Sequence, residues 1–100
     1  MVEFIKAATK SQIPSGTGKT VDVGGRQIAL FNLGGSFYAL SNTCAHRGGP
    51  LGEGDLAENV VTCPWHGWSY DVTTGAAQHQ AASVQTYPVK VEGEDVLVQI

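Results

Sequence analysis

Two short strings in this chain carry metal-binding chemistry. The first, CAH, sets Cys44 and His46 two positions apart, and the second, CPWH, sets Cys63 and His66 three apart, with sixteen residues between the pairs. Together they use both cysteines and two of the three histidines, leaving His79 without a spaced companion. Any one of these residues alone would mean little, because a lone cysteine usually behaves as a small buried hydrophobe. Four at this spacing can close a coordination shell. Structural zinc uses the same donors but usually groups the cysteines in one short pair and the histidines in another, whereas here each string offers one of each. That mixed order suits a two-iron centre whose thiolates hold one metal and whose imidazoles hold the other. Gly48, Gly49, Pro50, Pro64 and Gly67 let the backbone turn sharply beside the donors.

Something rigid must position these strings. A hundred residues with 42% apolar content are enough for one domain with its own core. Thirteen glycines and few helix-favouring runs point to an all-β chain of short elements joined by tight turns. From Thr20 the text reads TVDV, Gly-Gly, RQIALFNL, Gly-Gly, SFYAL, which predicts a three-strand meander with two-residue links. Near the C-terminus, Val89 and Val91 alternate with Lys90 and Glu92. A turn over Gly93 to Asp95 follows, and Val96, Val98 and Ile100 then share a face, predicting a second hairpin. Between these halves the pattern loosens, with NVVTC and SYDV as the short strands. The expected organisation is a single domain, 1–100, with a base of roughly 1–41 and 84–100 and an insert of roughly 42–83 that holds both cysteines. An insert too polar to build its own apolar core needs another source of order, and a metal centre provides one.

Other classes of function fit poorly. SGTGKT, Ser15 to Thr20, looks like a phosphate-binding loop, but its first glycine would fall at Ile13 and the residues after it alternate like a strand, so a surface loop is expected. A net charge of -3 without blocks of like charge argues against nucleic acid. MVEFIKAATK lacks the apolar core of a signal peptide and no run is long enough to span a bilayer, so the expected location is the cytoplasm, with no membrane partner.

The donor pattern C-x-H…C-x-x-H, with CAHRGGPL, CPWHGWSYD, VTTG and YPVKVEGEDV around it, resembles the Rieske-type [2Fe-2S] ferredoxins from Val21 onward, in particular the low-potential ferredoxin components of aromatic-ring-hydroxylating dioxygenase systems. The resemblance implies the Rieske fold, an antiparallel β-sandwich-like base with an inserted cluster-binding subdomain, and one [2Fe-2S] cluster per chain. By the same resemblance Cys44 and Cys63 bind the inner iron and His46 and His66 the outer one. It implies a soluble one-electron carrier that passes electrons from an NAD(P)H-dependent flavin reductase to a terminal oxygenase. No small-molecule substrate is expected. A small subunit of a larger redox enzyme, such as the assimilatory NADH nitrite reductase, is the alternative.

Catalysis by the chain itself is not expected: a mononuclear iron site needs two histidines and a carboxylate, and the cluster leaves only His79. Imidazoles in place of two thiolates make the oxidised centre less negative, which places Rieske potentials at about -150 to +300 mV against roughly -400 mV for plant-type ferredoxins. High-potential relatives add two bridging cysteines where this chain has Gly49 and Trp65, and a hydroxyl where it has Trp68, so the low end is expected. Tyr70 stands where the family has a tyrosine near a ligand sulfur, with space-filling as the alternative. Arg47, Pro50, Leu51 and Trp65 form the expected docking rim around His46 and His66. The segment after Gly75, AAQHQAASV, lacks the proline of many relatives.

Overall fold

The structure, a computed structural model, describes residues 4–42, 51–64, 68–78 and 83–99. Ten strands follow in order: β1 (Phe4–Thr9), β2 (Thr17–Val23), β3 (Arg26–Leu33), β4 (Ser36–Ser41), β5 (Asp55–Ala57), β6 (Val60–Thr62), β7 (Ser69–Asp71), β8 (Thr86–Tyr87), β9 (Val89–Glu92) and β10 (Asp95–Gln99). Two single 3-10 turns, Lys10–Gln12 and Leu51–Glu53, interrupt them, and there is no α-helix among the described residues. The strands form three sheets of order β1-β10-β9, β2-β3-β4-β8 and β5-β6-β7, with every described pairing antiparallel. The all-β expectation holds.

The meander follows from its turn residues. Val23 pairs with Arg26 and Leu33 with Ser36, so each link has two residues, Gly24-Gly25 and Gly34-Gly35. All four glycines have positive φ, from 57° to 101°, as hairpin turns matching the strand twist require. The C-terminal hairpin also forms, with a tighter turn than expected: Asp95 pairs with Glu92, leaving only Gly93 and Glu94 in the link. Strand β1 pairs with β10 across a register shift between Lys6 and Ala8.

Strand β3 is the middle wall of the molecule. Ile28, Ala29, Leu30 and Phe31 are all fully buried, so both faces of the strand are covered. Ile28 and Leu30 join Val96 and Val98 in a first core against the β1-β10-β9 sheet. Ala29 and Phe31 point the other way, into a second core with Leu40, Leu51, Val61, Tyr70 and Val72. The segment 51–72 therefore docks its apolar side chains on the base sheet, sharing a core with it instead of depending wholly on a metal for order. Each large apolar side chain so buried contributes about 1.5–3 kcal/mol.

The expected surface loop at SGTGKT is partly strand. Gly16 turns the chain with φ of 83°, and Thr17 onward lies in β2. A Cβ on Gly18 would come within 2.3 Å of the Phe31 ring, so this glycine serves packing and no helix follows it.

Candidate metal centre

Strand β4 leads directly to the first donor string, and Asn42 fixes the exit. Asn42 is buried, at 4% exposure, and its N–H donates to the Gln27 carbonyl (3.2 Å). Its own carbonyl accepts the Leu51 N–H (2.9 Å). Its side-chain Oδ1 accepts both the Gly52 N–H (2.7 Å) and the Thr20 hydroxyl (3.1 Å). The chain thus leaves the sheet at Asn42 and returns at Leu51, held by one residue. Cys44, His46, Arg47 and Pro50 lie outside the described residues.

The second donor string caps the β6–β7 hairpin. The Cys63 N–H donates to the Trp68 carbonyl (2.7 Å), which closes the neck of the turn one step beyond the Thr62–Ser69 pair. Cys63 is 2% exposed and belongs to the second core, so its sulfur sits among apolar side chains. Such a shell excludes water from a metal–sulfur centre and so suits a sulfide-bridged cluster. His66 and Trp65 lie outside the described residues. Among the described residues, no group of three or more His, Cys, Asp or Glu could hold a metal ion.

The register brings the two necks together. Asp55 pairs with Thr62, and Thr62 with Ser69, so the start of β5, the end of β6 and the start of β7 lie at one end of their sheet. The return leg from the first donor string, Leu51 to Gly54, runs straight into β5 and therefore lies beside Cys63. A Cβ on Gly54 would fall 2.2 Å from the Thr62 carbonyl, which shows how close that leg lies.

A third segment comes back to the same end. The Asp71 carboxylate accepts the Thr73 hydroxyl (2.6 Å) and the Thr73 N–H (2.9 Å), and its backbone carbonyl accepts the Gly75 N–H (2.7 Å). Bonds to the Thr73 hydroxyl first, and to the Thr73 amide and Asn59 side chain, hold the Asp71 carboxyl below its ordinary range despite some desolvation. This turn sends Ala76 to Gln78 back along β7: Tyr70 bridges Ala77, and the Gln78 N–H donates to the Ser69 carbonyl (2.7 Å). Ladder hydrogen bonds hold this stretch against β7. His79 lies outside the described residues.

Three side chains of the second core depart from expectation or refine it. Leu51 cannot form part of a docking rim: it is fully buried, its ring of neighbours being the second core. An apolar residue directly after a loop neck is drawn inward when a core lies beneath it. Trp68 is half-buried and packs on that same core, and the Tyr70 ring is fully enclosed within it. Sequence reasoning passed over Asn42 and Asp71. Asn, Asp and Thr at strand ends beside glycines would have been the signal.

Fold and site define a small all-β protein in which the described legs flanking the two donor strings lie at one end of the β5-β6-β7 sheet. The Rieske [2Fe-2S] domain description matches residues 3–95, and the chain belongs to that family, with one [2Fe-2S] cluster per chain as its cofactor. It is 34% identical over 100 residues to the ferredoxin component of the naphthalene 1,2-dioxygenase system of Pseudomonas aeruginosa, covering 98% of this chain and 96% of that one. The ferredoxin of carbazole 1,9a-dioxygenase from Nocardioides aromaticivorans IC177 superposes with a TM-score of 0.89 at 32% identity, covering 95% of each chain. A second solved structure, a complex of reduced oxygenase and oxidized ferredoxin in carbazole 1,9a-dioxygenase, matches with a TM-score of 0.86 at 32% identity, covering 95% of this chain and 91% of that one. The naphthalene and carbazole relatives are named as ferredoxins of dioxygenase systems, which makes them electron-carrying components and not catalytic subunits.

Proposed function

We propose that this protein is a cytoplasmic one-electron carrier that receives electrons from an NAD(P)H-dependent flavin reductase and delivers them to a terminal oxygenase. Cys44 and Cys63 hold the inner iron of its cluster, and His46 and His66 the outer one. The observation that carries this reading is the convergence of the two donor necks at one end of the β5-β6-β7 sheet, with the Cys63 sulfur buried between them and the base. When bound, the cluster takes up and releases a single electron. The residues supply the rest: Cys63 anchors the cluster to a buried apolar core, and His46 and His66 hold the iron through which electrons leave. The base, roughly 1–41 and 84–100, acts as the rigid platform, and the insert, roughly 42–83, carries the cluster.

Anaerobically purified protein should contain iron and acid-labile sulfide in equal amounts, two of each per chain, and accept one electron on reductive titration. Addition to a flavin reductase and a terminal oxygenase of this type should restore NAD(P)H-driven hydroxylation. Colourless protein without labile sulfide refutes the cluster assignment. Stable co-purification with a large redox subunit refutes the diffusing-carrier role.

A further inference from the structure

We infer that Asn42 is a positioning residue for the cluster, acting through the neck of the first donor string. The inference rests on the ligand assignment proposed above. The two donor strings are anchored by different means. Cys63 is fixed by its own burial and by a backbone bond that continues the β6–β7 ladder. The string bearing Cys44 and His46 is attached at both ends to a single side chain and its carbonyl: the Asn42 carbonyl holds Leu51, and Asn42 Oδ1 holds Gly52. Oδ1 also takes the Thr20 hydroxyl, so the neck is tied to β2 of the base as well as to itself.

The fit around this neck is close. A Cβ on Gly52 would stand 2.7 Å from the Thr20 nitrogen and 2.8 Å from its Cα. Both are backbone atoms and below any ordinary contact, so the return leg can lie against β2 only because residue 52 is glycine. Asn42, Thr20 and Gly52 therefore form one unit that sets where the chain enters and leaves the first donor string. Cys44 follows Asn42 by two positions, so an error in the exit is passed directly to a ligand. Truncating Asn42 leaves the buried Gly52 N–H without its acceptor, a loss of the size that changes a local equilibrium by about ten- to a hundred-fold.

The test compares holoprotein variants. In Asn42→Ala, cluster release to an excess of iron chelator should accelerate by about ten-fold or more. The Gly52 amide should also exchange its hydrogen faster than in the parent, while amides of β10 in the first core do not change. Gly52→Ala, which leaves Asn42 intact and forces the return leg away from β2, should accelerate release in the same sense, and Thr20→Val, which removes one donor and conserves volume, should do so less. Val98→Ala provides the control, because Val98 is fully buried in the first core, away from the neck. If Val98→Ala, matched to Asn42→Ala in lost thermal stability, releases the cluster equally fast, Asn42 is merely structural and the inference falls. Unchanged release in Asn42→Ala also overturns it. A parent protein without labile sulfide would instead defeat the cluster reading itself.

Discussion

Two glycines in this chain share a backbone conformation and differ in their surroundings, and that contrast allows a quantitative test of how the segment beside the cluster is held. Gly75 has φ of 81° and Gly16 has φ of 83°. Alanine at either position must enter the left-handed region, at about 1–2 kcal/mol. A Cβ on Gly16 would meet nothing within 4 Å, whereas on Gly75 it would fall 2.4 Å from the Val84 carbonyl oxygen. Val84 cannot simply retreat, because its own N–H donates to the Gly75 carbonyl at 2.8 Å. Relieving the clash breaks that bond, at about 1 kcal/mol, and disturbs the turn that sends Ala76 to Gln78 along β7. Gly75→Ala should therefore cost about 2–3 kcal/mol, and Gly16→Ala only the backbone share. For a domain of this size each kcal/mol lowers Tm by about 4–8 °C, so thermal melts of the holoprotein followed by far-ultraviolet circular dichroism separate the two. Visible absorbance recorded on the same samples should show Gly75→Ala losing its cluster at the lower temperature. Equal Tm losses for the two variants would refute the crowding at Gly75 and with it the described path of the chain after β7.

Three further outcomes follow from the same structure. The Asp71 carboxyl is held below its ordinary value of 3.8 by the Thr73 hydroxyl, so its contribution is fully present above that value and is lost as pH falls through the lower, folded-state value. Asp71→Asn keeps an acceptor but cannot titrate, so the Tm difference between parent and variant should shrink as pH drops below about 4, and a constant difference would count against the turn. Leu51→Ala should lower stability by about 2–5 kcal/mol, read from denaturant midpoints, because Leu51 is fully buried in the second core; a change under about 0.5 kcal/mol, typical of surface sites, would restore Leu51 to the rim. By the resemblance noted above, Trp68→Ser would place a hydroxyl beside the cluster, and a new hydrogen bond of about 1–1.5 kcal/mol to a cluster sulfur corresponds to a rise of roughly 40–65 mV in the one-electron potential. Potentiometric titration that shows no rise would remove the absent hydroxyl as a reason for expecting a low potential.

Much of this architecture was legible from local chemistry. Gly-Gly links placed β2, β3 and β4 within a few residues, because positive φ at two consecutive positions is a local demand. The donor spacing pointed to the metal centre, and NVVTC and SYDV became β6 and β7. Strand β1 alternates well enough, but its partner β10 lies at the other end of the chain, and nothing local announces such a pairing. Strands β5 and β8, of three and two residues, are defined by the neighbours that they pair with and carry no pattern of their own. Leu51 was misplaced because its fate depends on a core assembled from distant strands; IALF in β3, an unbroken apolar run, was a signal of a strand covered on both faces that went unread.

That two-faced strand also determines how the cluster relates to the fold. In small domains where metal is the main source of order, the apoprotein unfolds. Here Leu51, Val61, Tyr70 and Val72 from the donor-bearing segment pack against Ala29, Phe31, Leu40 and Val84 of the base, an apolar contribution present with or without iron. The first core, around Ile28, Leu30, Val96 and Val98, belongs wholly to the base. On the proposed ligand assignment the metal centre therefore adds to a structure that apolar burial already supports, and the burden on the protein is local: to hold two necks, at Asn42 and at Cys63, in the right relation. Small changes at those necks can alter the cluster while the sheets that carry them stay in place.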